Sequence, residues 1–388
     1  MLETALKHYR SRSEVSSVVE NKLPAKGAKV VVAMSGGVDS SVAAGWLAKN
    51  GYHVIGISLQ LHDMAEKIDN EFGTCCSLSD INDARRVAEV LDIPFYVNNM
   101  ETAFNEAVID DFVQEYLNGR TPNPCVRCNE KVKFKKLMDW ALDLGADFLA
   151  TGHYATVHWN NNLSRHELHK GEDDGKDQSY FLFTLKETEL AKTLFPVGSF
   201  PKPMVRSLAH EYGLRVANKP DSQEICFVQG KSYREFIEEK VPAEVLRPGN
   251  FVSVDRKILG QHGGLHQYTV GQRKGIHLNS LVPLYVLGLD AKNNEVMVGS
   301  ETALFRKSAI VKHLSWINEF DLSTSSKVLA KIRYRSKESP VEISAVDSTS
   351  IEVKFEIPQR AITPGQAMVF YDGSRVLGGG WIESLSVH

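Results

Sequence analysis

Lys29-Val-Val-Val-Ala-Met-Ser-Gly-Gly-Val-Asp-Ser-Ser41 decides how the rest of the chain is read. Val30, Val31, Val32 and Ala33 form a continuous run of β-branched and small residues, which predicts a buried parallel strand. Ser35-Gly36-Gly37 breaks that run at once. Ser40 and Ser41 then offer caps to a segment, Val42 to Lys49, with helical apolar spacing. Strand, glycine turn and helix in this order place backbone N–H groups, hydroxyls and the positive end of a helix dipole around one point. Such a point is an anion cradle suited to phosphate.

What is missing narrows the kind of cradle. A Walker A loop needs Gly-x-x-x-x-Gly-Lys-Ser/Thr, and a dinucleotide fingerprint needs Gly-x-Gly-x-x-Gly; the chain supplies neither around Gly36-Gly37. Ser35-Gly36-Gly37-Val38-Asp39-Ser40 instead resembles the signature of the ATP pyrophosphatase superfamily. That resemblance implies cleavage of ATP between its α and β phosphates and attachment of AMP to a substrate oxygen.

The 388 residues are too many for one typical core and point to two or three domains. A hydrophobic share of 43% and a charged share of 24% are those of a globular chain, and no run approaches the roughly 20 apolar residues of a membrane span. Residues 1–28 read as an N-terminal extension without the apolar core of a signal peptide, on a cytoplasmic protein with no membrane partner. The net charge of −3 argues against wholesale coating of nucleic acid. Local clusters at Lys131 to Lys136, Arg273-Lys274 and Lys331 to Lys337 still suit a phosphate backbone.

Downstream of the opening unit, Val54 to Leu59, Ile93 to Val97 and Asp147 to Thr151 read as further buried strands. Ser79 to Leu91, Glu101 to Leu117 and Glu130 to Leu144 read as helices between them. This alternation predicts a parallel sheet covered on both faces, with ligands at the carboxyl ends of its strands. Ala33 to Ser40, Leu59 and Gly152-His153 then share one crevice. After a charged helical stretch from Lys202 to Arg247, short strands with glycine and asparagine turns predict a small antiparallel barrel or sandwich.

Five cysteines in so long a chain are no disulfide framework. Thr121-Pro-Asn-Pro-Cys125-Val-Arg-Cys128-Asn129 sets two thiols at the start of a predicted helix beside Arg127, Lys131 and Lys133, a setting that favours thiolate. Cys226 follows in Ile225-Cys-Phe227. Cys75 and Cys76 read as bystanders.

These strings, with Gly119-Arg-Thr-Pro-Asn-Pro124, Thr151-Gly-His-Tyr154, Lys176-Asp-Gln-Ser-Tyr-Phe181, Leu194-Phe-Pro-Val-Gly198, Thr269-Val-Gly-Gln-Arg-Lys-Gly275, Arg333-Tyr-Arg335, Thr363-Pro-Gly-Gln366 and Gly378-Gly-Gly380, occur in the order seen in tRNA-specific 2-thiouridylases. The chain resembles that family from about residue 29 to 382. The resemblance implies an α/β fold: an ATP pyrophosphatase domain at 29–204, a central tRNA-contacting domain at 205–280 that carries Cys226 back to the active site, and an antiparallel β-barrel at 281–388.

It further implies ATP-dependent 2-thiolation of the wobble uridine of tRNA, a sulfurtransferase activity in which the C2 oxygen is adenylated and sulfur arrives through a cysteine persulfide. Cys226 would carry the persulfide, Cys128 would be the second catalytic thiol, and Asp39 would hold Mg²⁺ on the pyrophosphate. ATP would lie on Ala33, Met34, Ser35, Gly36, Gly37, Val38, Asp39, Ser40, Leu59 and Gly152. The anticodon arm would lie on Asn123, Pro124, Cys125, His153, Lys176, Asp177, Gln178, Arg333, Tyr334 and Gln366. The sulfur would come from a donor protein such as a cysteine desulfurase or a sulfur-relay carrier.

One departure keeps a second mechanism open. Many family members carry aspartate where this chain has Cys125, so Cys125, Cys128 and Cys226 offer three thiolates, enough for an iron–sulfur cluster. Two other readings also stand: a different adenylating ATP pyrophosphatase, which leaves the paired thiols unemployed, and a non-catalytic metal-bearing RNA-binding protein, which leaves Ser35 to Ser40 unexplained.

Overall fold

The computed structural model describes residues 19–20, 23–61, 78–221, 225–228, 230–322 and 326–384. Cys75, Cys76 and most of the N-terminal extension lie outside the described residues. The described residues divide into two compact units: one holds those up to 105, those from 128 to 228 and 374–377, the other 106–127, those from 230 to 373 and 378–384.

The first unit is built on β1 (Lys29–Ala33), α1 (Val38–Lys49), β2 (His53–Gln60), α2 (Leu78–Leu91), β3 (Phe95–Asn99) and β4 (Phe148–Thr151). Two antiparallel strands follow, β5 (Ala155–Asn160) and β6 (Arg165–Lys170), then β7 (Thr193–Leu194) and α3 (Lys202–Glu211). The main sheet has five strands in the order β3-β2-β1-β4-β7, all parallel. The central place of β1 explains its composition: Val30, Val31 and Val32 are 0% exposed, because both faces are covered. Leu47 of α1 and Val205, Leu208 and Ala209 of α3 pack with Val30 and Val32 in one core. The chain runs outward from β1 through β2 to β3, then returns to the other side of β1 as β4. The crevice of a doubly wound sheet opens at this reversal, beyond Ala33 and Thr151.

Helix windings depart from the sequence expectation. The stretch from Glu101 to Leu117 is α-helical at Glu101–Phe104 and Asp110–Leu117, with a π-helical turn at Asn105–Ile109 between them. The run expected from Glu130 to Leu144 begins earlier, as a π-wound segment at Cys128–Leu137 that continues as α-helix at Met138–Asp143. Wider winding shifts hydrogen bonds from i+4 to i+5 without changing residue types, so apolar periodicity does not register it.

In the second unit, β8 (Gly249–Val252), β9 (Ile258–His262), β10 (Tyr285–Asp290) and β11 (Glu295–Gly299) form a four-stranded sheet in the order β9-β8-β11-β10. A closed barrel follows, made of β12 (Phe305–Trp316), β13 (Ser326–Lys331), β14 (Ser339–Ala345), β15 (Ser350–Arg360), β16 (Ala367–Asp372) and β17 (Arg375–Ser384). Its order is β12-β15-β14-β13-β16-β17, and β17 closes back onto β12 with antiparallel pairing. Alternate side chains fill the barrel: Val341 and Ile343 on β14 and Ile351, Val353 and Phe355 on β15 are buried. No helix among the described residues is long and apolar enough to cross a membrane.

Candidate active site

The turn after β1 is held from within. Ser35 N–H donates to Ser40 Oγ at 3.1 Å, and the hydroxyl of Ser41 donates to Gly37 O at 2.8 Å. Met34 N–H donates to Ile57 O at 2.7 Å, and Ser58 Oγ donates to Met34 O at 2.6 Å, tying the turn to β2. Two glycines are required by close approach. Gly36 has φ +70°, and a Cβ there would stand 2.2 Å from Asp80 O. At Gly152 a Cβ would stand 2.5 Å from Ser40 N, so only glycine lets the end of β4 close against the first turn of α1. The loop read from the sequence as an anion cradle is thus tied by these bonds, and the first turn of α1, with Asp39 and Ser40, faces Gly152.

Asp39 is the carboxylate of this loop, and it is fully engaged. Lys202 Nζ donates to its two oxygens at 2.7 and 2.8 Å, and Tyr154 OH donates to Oδ1 at 2.7 Å. Lys202 also lies 2.8 Å from Asp221, which receives Lys176 at 2.7 Å and Arg206 at 3.0 Å. Burial works against the charge of Asp221, yet the ammonium groups of Lys176 and Lys202 hold its carboxyl below the ordinary aspartate range. Burial, reinforced by the Asp39 carboxylate, pushes the Tyr154 phenol upward, so it stays a hydrogen-bond donor.

A second lysine serves the glycine turn. Lys219 Nζ donates to Gly36 O at 3.1 Å, to Asp80 at 2.7 Å and to Asp83 at 2.6 Å. Burial opposes its charge, but the two carboxylates raise its pKa above the usual lysine value. Lys202, Tyr154, Asp221 and Lys219 were not singled out from the sequence as site residues. Tyr154 ends the string Thr151-Gly-His-Tyr154, which carried no role for it; for the two lysines the signal is the Lys-Pro dipeptide at Lys202-Pro203 and Lys219-Pro220, which is too common to carry a role.

The other expected residues are placed as follows. In the first unit, Cys128 is 9% exposed and opens the π-wound helix, and Cys226 is half-buried. Burial holds the His153 imidazole well below its ordinary pKa, with Lys133 adding to the effect; its Nδ1 lies 2.7 Å from Thr151 Oγ1 and its ring packs on Phe134 and Phe195. Gln178 brackets Tyr154, its side-chain oxygen accepting from Tyr154 N–H at 3.0 Å and its own N–H donating to Tyr154 O at 2.8 Å. Asp177 is buried and accepts from Gly171 N–H and from Ser179 N–H and Oγ.

In the second unit, Gln366 Nε2 donates to Thr121 O at 3.0 Å and Pro122 O at 2.9 Å, which fixes the strand of backbone entering Asn123-Pro124-Cys125. Asn123 Oδ1 accepts from Val126 N–H at 3.4 Å, and Cys125 is exposed. Arg333 donates through one nitrogen to Arg360 O and Ala361 O, both at 2.8 Å, and so joins two segments of the barrel wall.

The donor set suits a hard cation at Asp39. The carboxylate and the Ser40 hydroxyl are oxygen ligands, and the ammonium of Lys202 on Asp39 marks a position that accepts positive charge. Among the described residues, no group of three or more histidine, cysteine, aspartate or glutamate side chains is arranged to hold a metal.

A glycine turn on a doubly wound parallel sheet, followed by two small β-structures, defines a class: an α/β nucleotide-site domain with appended barrels. Models described as tRNA methyl transferase HUP domain, tRNA methyl transferase PRC-barrel domain and aminomethyltransferase beta-barrel domain match residues 28–230, 234–300 and 306–382. The chain is 53% identical over 361 residues to the tRNA-specific 2-thiouridylase MnmA of Geotalea uraniireducens, covering 92% of this chain and 96% of that one. It is 49% identical to the protein of that name from Geobacter metallireducens, over 92% of this chain and 97% of the relative. The same name is borne by a relative from Halothermothrix orenii, 47% identical over 92% of this chain and 99% of its own. The chain belongs to the tRNA-specific 2-thiouridylase family, a family of enzymes.

Proposed function

We propose that this enzyme replaces the C2 oxygen of the wobble uridine of tRNA by sulfur, with ATP as activator. Full-length similarity to 2-thiouridylases supports the substrate. The observation that carries the chemistry is the conjunction, in one unit, of the Ser35 to Ser40 cradle with Cys128 and Cys226.

A ring carbonyl oxygen is a poor leaving group, and AMP is a good one. The backbone amides of the turn and the first turn of α1 receive the phosphates. Lys202 and Lys219 supply positive charge beside them, which stabilises the negative charge developing as pyrophosphate departs. Mg²⁺, held by Asp39, would neutralise the pyrophosphate when bound. The uridine oxygen takes up the α-phosphoryl group, and pyrophosphate leaves.

Cys226 then holds the incoming sulfur as a persulfide delivered by a sulfur-donor protein. Attack by the Cys128 thiolate on the Cys226 sulfur releases hydrosulfide and leaves a Cys128–Cys226 disulfide. Hydrosulfide adds to C2, AMP departs, and an external thiol reduces the disulfide. Asn123, Pro124, Cys125, Arg333, Tyr334 and Gln366 in one unit, and His153 and Lys176 to Gln178 in the other, position the anticodon arm. Gln366, Asp177 and Gln178 are also bonded to their own chain, which fixes the backbone they present to the RNA. The reaction belongs in the cytoplasm, where tRNA and ATP are found.

The test is reconstitution with tRNA, ATP and a cysteine desulfurase with radiolabelled cysteine. Label in 2-thiouridine, with one AMP and one pyrophosphate per sulfur, is the expected result. ATP cleavage to ADP, or AMP formation on a small molecule without label in tRNA, would overturn the reading.

A further inference from the structure

The second unit contains a cleft of about 280 Å³ that the sulfur-transfer chemistry leaves unused. One wall is a stacked pair: the Arg127 guanidinium lies 4.0 Å from the centre of the Trp381 ring. Another is an ion triplet, in which Arg120 reaches Glu115 at 2.8 Å and Glu383 at 2.6 Å. Asn118 and His313 complete the lining. His313 sits in the left-handed region with φ 49°, where β12 slips register against β17 between Lys312 and Ser315. A bulge holding a non-glycine residue at positive φ is a feature concentrated at binding sites.

The charges in the lining are already matched. Arg127 Nε is 3.2 Å from Asp111, and Arg120 lies between two carboxylates. A cleft so compensated has little pull on a bare anion. It suits a flat, neutral, polar ring that stacks on the guanidinium–indole pair, as RNA bases stack on arginine and aromatic planes. Glu115 and Glu383 each spend Oε2 on Arg120 and keep Oε1 as an acceptor. Among the described residues, the Asn118 amide and the His313 imidazole have no side-chain partner. Arg120 and Arg127 also bracket Thr121 to Val126 in the chain, so a ligand here bears on the segment that leads into Cys128.

We propose that this cleft receives one unstacked nucleobase of the tRNA, other than the uridine that is modified, and that it favours a base with an exocyclic amino group. The inference rests on the tRNA-directed function proposed above and adds a second point of recognition. A base outside position 34 would then set the register in which the target uridine is offered.

The test couples protein and RNA changes. Full-length tRNAs carrying a single abasic nucleotide at each anticodon-loop position are titrated against the wild-type enzyme and the Trp381→Leu, Asn118→Ala and His313→Ala variants. Trp381→Leu should weaken binding about tenfold, and the two exposed-residue variants several-fold, with the salt slope unchanged. One abasic position other than 34 should cost wild type the same factor and cost the variants nothing further. Uridine at that position should bind more weakly than adenosine, cytidine or guanosine.

If no position couples while wild type thiolates tRNA normally, the cleft proposal fails and the function stands. A shallower salt slope with base-independent loss would make the cleft a phosphate contact and also overturn it. So would tight binding of free adenosine monophosphate that leaves tRNA affinity unchanged. Asn118 and His313 are exposed, so their variants decide the matter even if Trp381→Leu misfolds. A wild-type enzyme that neither binds nor thiolates tRNA would sink the functional reading itself.

Discussion

Lys202 donates to both carboxylate oxygens of Asp39, at 2.7 and 2.8 Å, from a position that is only 7% exposed. The same ammonium lies 2.8 Å from Asp221, so one buried positive charge joins the glycine turn to the segment that precedes Cys226. Lys202→Met would leave those carboxylates without their shared cation. Removing one partner of a fully buried pair costs about 3–5 kcal/mol. The Asp39 side chain is 30% exposed, so solvent reduces the expected loss to about 2 kcal/mol. Pyrophosphate release should fall about a hundredfold, as when a charge-stabilising donor is removed, while tRNA affinity is kept. A melting curve beside a pyrophosphate assay separates the two effects: normal release with a lowered Tm would make Lys202 purely structural.

Gly152→Ala forces a methyl group to 2.5 Å from Ser40 N and 2.7 Å from Asp39 C. Backbone must move to admit it, and the backbone that moves is the first turn of α1. ATP-dependent AMP formation should drop by at least about tenfold, the cost of displacing positioned groups, with little change in far-ultraviolet circular dichroism. Unaltered kinetics would show that the loop does not need this contact.

The thiols should separate from the adenylation site. Cys128→Ser and Cys226→Ser are each expected to abolish sulfur incorporation while tRNA-dependent pyrophosphate release persists, because Asp39, Ser40 and Lys202 act on a different bond. Cys125→Asp should retain thiolation under this relay. Loss of thiolation in Cys125→Asp, together with iron bound by the wild-type protein, would count against a relay of two thiols.

Acid sensitivity should trace in part to His158. Burial, with the neighbouring His169 ring 4.7 Å away, depresses its pKa to about 4. Above the ordinary histidine value of about 6.5 both folded and unfolded chains hold it neutral, and it contributes no pH dependence. Below that, the unfolded chain takes up the proton first, so stability falls as pH drops from about 6.5 toward 4, by about 3 kcal/mol in all. His158→Gln should flatten the Tm against pH curve in this interval. Glu167, held at about 2 against its burial by contacts with His169, Arg375 and Arg165, adds a loss of the same sign that begins below the ordinary glutamate value. An equally steep curve in His158→Gln would place the acid sensitivity elsewhere.

Local chemistry was enough to read the centre of this protein. Three consecutive valines need a strand covered on both sides and Ser-Gly-Gly needs a turn before a helix; each follows from neighbours a few residues apart. The barrel strands were legible where apolar and polar residues alternate, as at Ile351 to Phe355. They were not legible at Arg375 to Ser384, because Gly378-Gly-Gly380 has no strand propensity and is held in the barrel only by pairing with β12.

Tertiary structure alone decided the partners. Lys202 stands 163 residues from Asp39 and Lys219 stands 183 from Gly36, and nothing local to either lysine names its carboxylate. The same holds for Gln366, whose amide holds Thr121 and Pro122, 245 and 244 residues away. The sequence determined where the glycine turn falls, since φ and burial are set by short segments; the caps expected at Ser40 and Ser41 are not used, because α1 already starts at Val38 behind Gly37. Folding chose which charges meet at that turn, because ion pairing in a buried site depends on elements brought together across the sheet and on the cost of leaving any of them unpaired.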